Sequence, residues 1–187
     1  DAFSKAEDVI PDLIITDLMM PGIDGYELCR RVRALELTSH VPIIVVTAKS
    51  SEEDRIMGIE AGADAFLQKP FNAQLLNKLT EKLLKMRRSL REKYSQVIDI
   101  DNETELDIPS TDRNFYNKLT DVIYAQMKKG EIDLDEIASK MTMSRSQLNR
   151  KTQATIGLPA SKYVLQVRMS LAKRLLDADV SMPIGEI

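Results

Sequence analysis

Three short apolar runs, each closing on a polar residue, constrain the fold of this chain more than any other feature. They are Leu13-Ile14-Ile15-Thr16-Asp17, Ile43-Ile44-Val45-Val46-Thr47 and Ala65-Phe66-Leu67-Gln68-Lys69. Runs this short and this rich in β-branched residues suit strands buried on both faces. Helical patterning over about Gly25–Leu35 and Ser51–Ala61 separates them, which predicts βαβ units and a parallel sheet. The turn chemistry agrees. Pro21-Gly22 and Asp24-Gly25 follow the first run, and Gly62 stands where a helix C′ residue belongs. Cys29 is expected to be a buried helix residue and His40 to lie in an exposed loop. With one cysteine and one histidine, the chain has neither a disulfide framework nor zinc-site spacing.

In open parallel sheets, chemistry collects at the carboxyl ends of the strands. Asp17, Thr47 and Lys69 would all project towards that rim. An aspartate there can act as a nucleophile towards a phosphoryl group. A neighbouring hydroxyl and ammonium can stabilise the charge that builds on the transferring oxygens. Taken singly, each has a plain reading: an Asp capping a turn, a Thr in a strand, a solvated Lys before Pro70.

Taken together, the segment from Pro11-Asp12 through Asp17 and Pro21-Gly22 to Asp24-Gly25 resembles the phosphoacceptor segment of response-regulator receiver domains. Val45-Val46-Thr47-Ala48, Gly62-Ala63-Asp64-Ala65-Phe66 and Lys69-Pro70-Phe71 continue the resemblance, which covers roughly residues 1–90. It implies a flavodoxin-like, doubly wound α/β domain. Asp17 would accept the phosphoryl group from a histidine kinase, and Thr47 and Lys69 would bind it. Phe66 would be the switch aromatic, against a plain reading as a core ring. Asp17 and the Met19 backbone carbonyl would help to hold Mg²⁺, and Lys69-Pro70 would be cis. The chain begins at Asp1 inside what resembles the family's second helix. The first strand, first helix and second strand, with the acidic pair that completes the metal site, are therefore expected to be missing. That predicts weak Mg²⁺ and phosphate binding and an open edge exposing Leu13 and Ile15.

From about Asn72 to Gln96 the sequence predicts one long helix. Leu76, Leu79, Leu83, Met86 and Leu90 form a short heptad seam. Leu83, Met86 and Leu90 are read as a dimer contact, because a helix running past its sheet lacks intramolecular cover; packing on its own domain is the alternative. The net charge of −3 hides an uneven distribution. Residues 92–112 hold one basic residue and seven acids, whereas residues 113–187 hold 12 basic residues and 8 acids. This gives a receiver domain over 1–91, an acidic linker over 92–112 and an all-α domain over 113–187.

In the all-α part, helices are expected near Arg113–Lys129, Leu134–Met141, Arg145–Ile156 and Pro159–Leu176, with another starting at Pro183. Ile137, Ala138, Met141 and Leu148 would form the inner faces of a helix-turn-helix, with Ser144 as N-cap. Its exposed face offers Ser144, Arg145, Ser146, Asn149 and Arg150, residue types that match base edges in the major groove; any soluble helical hairpin could show similar spacing. The continuation Gly157-Leu158-Pro159-Ala160 through Tyr163 and Arg168 to Leu175-Leu176 resembles the AraC/XylS family. The resemblance implies a second helix-turn-helix unit, whose recognition helix lies beyond the end of the sequence. Thr142 stands where that family often has glycine, an uncomfortable choice if φ is positive.

Together these readings predict a cytoplasmic transcription regulator that is not itself an enzyme, beyond phosphotransfer and dephosphorylation at its own aspartate. Its partners would be a histidine kinase, double-stranded DNA and a second copy of itself. The order of parts also resembles the C-terminal end of hybrid two-component sensors. The rival reading is a protein-interaction or dimerisation module, phosphorylated or phosphorylation-dead, that does not touch DNA.

Overall fold

The computed structural model describes residues 2–48, 51–96, 110–130 and 132–177. The chain divides between Ser89 and Leu90 into two compact units. The first holds α1 (Ala2–Val9), β1 (Ile14–Asp17), α2 (Gly25–Ala34), β2 (Ile43–Thr47), α3 (Glu52–Glu60), β3 (Ala65–Gln68) and most of α4 (Ala73–Gln96). All three strands are parallel, in the order β1-β2-β3, with Ile14 opposite Ile43 and Ile44 opposite Ala65. The central strand β2 is buried along its whole length. Successive side chains of a strand face opposite ways. Ile43 and Val45 therefore join Leu28, Cys29 and Val32 on one face, while Ile44 and Val46 join Leu67 and Leu83 on the other.

The rim opposite the strands' carboxyl ends is tied by Arg33 of α2. Its Nε donates to the Gly62 carbonyl at 2.9 Å, and one terminal nitrogen donates to the carbonyls of Ser39 (3.0 Å) and Val41 (2.7 Å). The other terminal nitrogen meets Asp64 Oδ2 at 2.6 Å, and that oxygen also accepts the Ile43 amide at 2.7 Å. A planar guanidinium can serve several acceptors in fixed directions, which an ammonium cannot. This network also corrects the expectation for His40. Because Arg33 holds the carbonyls on either side of it, the turn is drawn in and His40 is buried.

The ends of the elements follow the turn chemistry. Asp24 and Ser51 cap α2 and α3, and Gly62 (φ +93°) follows α3 as expected. Gly25 is required for a different reason than turn conformation. A Cβ there would lie 2.5 Å from the Asp17 carbonyl oxygen and 2.9 Å from Leu18 Cα. The start of α2 thus sits directly on the backbone that follows β1. β1 is an edge strand among the described residues, with Ile15 half exposed, whereas Leu13 packs against the Ile44 cluster.

The second unit contains the end of α4 with α5 (Ser110–Met127), α6 (Leu134–Lys140), α7 (Arg145–Thr155) and α8 (Ala160–Asp177). Its core joins Phe115, Leu119 and Ile123 of α5 to Ile137, Ala138, Met141, Leu148, Tyr163 and Val167. The inner faces expected for the two short helices are therefore the ones buried. Lys151 is fully buried with its ammonium 5.3 Å from the Phe115 ring centroid, a placement that helical spacing did not suggest.

Two expectations need correction here. Helix α4 ends at Gln96 as expected, but α5 starts at Ser110 rather than near Arg113 and so takes in the end of the segment read as linker. The Ser-Thr-Asp chemistry that looked like a linker is helix-start chemistry. The remainder of that segment, residues 97–109, and the helix expected from Pro183 lie outside the described residues. The seam of α4 also has intramolecular cover. Leu83 packs with Ile44, Val46 and Leu67, and Leu90 is 8% exposed. On the adjoining turns Arg91 Nε donates to the Ala154 carbonyl at 2.6 Å, and Gln166 Nε2 donates to the Ser95 carbonyl at 2.8 Å. Of the three residues assigned to a dimer contact, Met86 alone stays exposed.

Two stability measurements check this description. Arg33→Ala should destabilise the first unit by about 2–4 kcal/mol in urea unfolding, since a partly buried network loses its common donor. Arg33→Lys should recover only part of that. In the second unit Thr142 has φ +56°, a conformation that costs a β-branched residue about 1–2 kcal/mol. Thr142→Gly should therefore raise the unfolding free energy by roughly 0.5–1 kcal/mol once glycine's extra unfolded-state entropy is counted, seen as a higher urea midpoint.

Candidate functional site

Parallel strands bring Asp17, Thr47 and Lys69 to one rim. Asp17 ends β1, Thr47 ends β2, and Lys69 directly follows β3. The Lys69 amide donates to the Thr47 carbonyl at 2.8 Å, which extends the β2–β3 pairing one residue beyond the strand and seats the lysine. The Lys69–Pro70 bond is cis, as expected from the sequence. From there Lys69 Nζ reaches Asp17 Oδ2 at 2.6 Å, while the Met19 amide donates to Asp17 Oδ1 at 3.1 Å. The Met19 amide contact was missed in the sequence, where only the Met19 carbonyl was considered. Thr47 is buried beside this pair rather than open to solvent.

Electrostatics keep Asp17 ionised. The Lys69 ammonium, first, and the Met19 amide, second, hold its carboxyl below the ordinary value of 3.8. Both partners stabilise the anion, and the rim remains open to solvent. The arrangement presents a charged oxygen nucleophile beside a cation that can follow charge onto an incoming anionic group.

Phe66 lies opposite Val45 in the sheet and packs, half buried, against the β2–α2 core. Its ring also lies directly against Gly58 of α3, where an added Cβ would collide with Cζ and both Cε atoms. An interior glycine in a helix is a signal of close approach, and here it makes room for the aromatic. Cys29 plays no part in the site; burial pushes its thiol up to about 11.

Among the described residues no group of three or more His, Cys, Asp or Glu side chains converges to hold a metal. Asp17 and the Met19 carbonyl fall short of the six oxygen donors around Mg²⁺. These residues alone do not fit a Mg²⁺ site.

The second unit holds the other set of sequence-assigned residues. Ser144 and Gln147 form a reciprocal cap on α7: the Gln147 amide donates to Ser144 Oγ at 3.2 Å, and the Ser144 amide to Gln147 Oε1 at 2.8 Å. Arg145, Ser146 and Asn149 are exposed and line one open groove with Leu134, Leu148, Ala160 and Ser161, about 530 Å³ in volume. Arg145 pairs with Asp135 of α6 at 3.1 Å. Asn149 Oδ1 accepts the Ala160 amide at 3.1 Å, so one of its polar atoms is already committed to α8. Arg150 is half buried. Among the described residues no helix is long and apolar enough to cross a membrane.

Replacing Lys69 with alanine should raise the titration of Asp17 towards 3.8, followed by carboxyl NMR. Because the folded-state value is depressed, the Asp17 contribution to stability is present in full above the unfolded value. It is lost as pH falls through the folded one. The Lys69→Ala protein should therefore show a smaller acid-induced loss of stability below about pH 4.

Comparison with known proteins agrees with the first unit. The model of the response regulator receiver domain family matches residues 1–81. A histidine kinase of Formosa agariphila is 29% identical over 95% of this chain and 13% of its own length. The phosphate regulon transcriptional regulatory protein PhoB of Rhizobium meliloti is 38% identical over 56% of this chain and 47% of its own length. This chain thus spans less than half of either curated relative. Among solved structures, the receiver domain of a Pseudomonas aeruginosa sensor histidine kinase, with magnesium coordinated in its active site cleft, is 34% identical. That match covers 45% of this chain and 69% of the other, with a TM-score of 0.42. Receiver domains generally serve as signalling modules rather than enzymes. Residues 1–81 are a response regulator receiver domain of the flavodoxin-like parallel α/β type.

Proposed function

We propose that this chain is the receiver and output portion of a two-component transcription regulator, phosphorylated on Asp17. The observation that carries the first half is the ionised Asp17 held by Lys69 at the carboxyl rim of three parallel strands. A carboxylate oxygen of Asp17 attacks the phosphorus of a phosphohistidine, the P–N bond breaks and the imidazole leaves. Lys69 then follows the charge from the carboxylate onto the phosphoryl oxygens, and Thr47 supplies a hydroxyl to them. Phe66, seated against Gly58, moves with that rearrangement and passes it to α3. Mg²⁺ belongs to the complete receiver site.

Sequence-specific DNA binding by α6 and α7 is the output. Its support is the capped helix α7 with Arg145, Ser146 and Asn149 on one exposed face, together with the basic balance of residues 113–187. PhoB is itself a transcriptional regulatory protein. We place the domain boundaries near 91 and 112, and pairing of two copies brings two α7 helices onto adjacent half-sites. The match to a histidine kinase over nearly the whole chain favours a parent that carries its own kinase, in the cytoplasm.

Two assays test the two halves. In the intact protein, with the whole receiver present, a small phosphodonor with Mg²⁺ should give an acid-labile gain of one phosphoryl group that Asp17→Asn abolishes; no gain in that folded protein contradicts the phosphoacceptor role. In a mobility-shift assay, binding to duplexes selected from a random pool should fall with salt. Arg145→Ala should weaken it by about 1–3 kcal/mol. A phosphorylated protein that shifts no duplex favours an interaction module instead.

A further inference from the structure

We infer that Asp135 is a specificity-determining residue of the proposed DNA-reading face, acting through Arg145; the inference rests on the DNA-binding reading above. Arg145 is the first residue of α7, and the first turn of that helix holds no acid. A cation at a helix N-terminus is disfavoured by the helix dipole, so helix stability does not explain an arginine there. Its countercharge comes from another helix. Asp135 Oδ2, in the first turn of α6, lies 3.1 Å from an Arg145 terminal nitrogen, and the two side chains are 64% and 61% exposed. A pair this exposed is weak and can be rearranged by a ligand. It stands on the side where Leu134, Arg145, Ser146 and Asn149 line the open groove.

The geometry separates two kinds of contact. A DNA phosphate that seeks Arg145 must displace Asp135 and then face its negative charge. A guanine edge offers two neutral acceptors to a planar guanidinium, which can keep one side on the carboxylate and turn the other to the base. Asp135 therefore penalises phosphate contacts more than base contacts. Discrimination between duplexes gains from such a repulsive element.

Asp135 also has a structural reading. An acid in the first turn of α6 suits the helix dipole, and its amide donates to Asp133 Oδ1 at 2.8 Å. That reading predicts a small stability change and an equal effect on all DNA. The test uses the full chain, a duplex selected from a random pool, and a scrambled version of it, each titrated at two salt concentrations. Asp135→Asn should bind the scrambled duplex about three- to tenfold more tightly, the scale of one charge contact in water. The selected duplex should change far less, so the ratio of the two affinities falls. Asp135→Ser, which keeps a short polar side chain at the helix start, should do the same, and Arg145→Ala should erase the effect in the double variant. Equal changes on both duplexes, or none, overturn the inference while leaving DNA binding intact. Failure of the unsubstituted chain to bind any duplex overturns both.

Discussion

The position of the rim chemistry depends on a contact at the far end of the sheet. Arg33 reaches from α2 to the carbonyls of Ser39, Val41 and Gly62 and to the Asp64 carboxylate, which in turn accepts the Ile43 amide. Those atoms lie where β2 and β3 begin. Fixing both starts fixes the register of Ile44 against Ala65, and with it the heights at which Thr47 and Lys69 emerge. A slip of one residue would turn every side chain of a strand to the other face. Lys69 would then no longer come down beside Asp17.

At the other end, the geometry keeps one group charged and near its partners without closing it off. Asp17 uses one oxygen for Lys69 and the other for the Met19 amide. Gly25 lets α2 press on the backbone just behind that carboxylate, so the loop carrying Met19 is braced from below. The donors beside Asp17 are set by covalent neighbours and strand pairing rather than by flexible loops. Such a layout suits chemistry that depends on preorganised charge.

How much of this could be read from the sequence depends on the range of each interaction. Asp17, Thr47 and Lys69 were legible because strand periodicity places them, and each needs only its own strand to reach the rim. Ser144 and Gly62 were legible because caps are local. Ile137, Ala138, Met141 and Leu148 followed from helical spacing. What escaped depended on partners distant in sequence. Arg33 looks like any exposed helix arginine until Gly62 and Asp64 are folded against it. His40 sits in a turn, and a turn is normally exposed unless something draws it inward. Leu83 fitted a heptad seam and a core equally well, and only the sheet decided between them. Asn149 matched a base-reading residue, yet its carbonyl oxygen is held by the Ala160 amide eleven residues on. Lys151 gave no sign of burial, since a charged residue on a helix is usually solvated.

The sealed Cys29 has a practical consequence. The sequence contains one cysteine, it is fully buried, and its thiol stays protonated at neutral pH. Thiol reagents react through the thiolate, so the native protein is effectively silent towards maleimides and methanethiosulfonates. A cysteine introduced at Met86 or on the outer face of α8 would be the sole attachment point for a spin label or fluorophore. Distances between copies, or between either unit and a bound duplex, could be measured without first engineering a cysteine-free background.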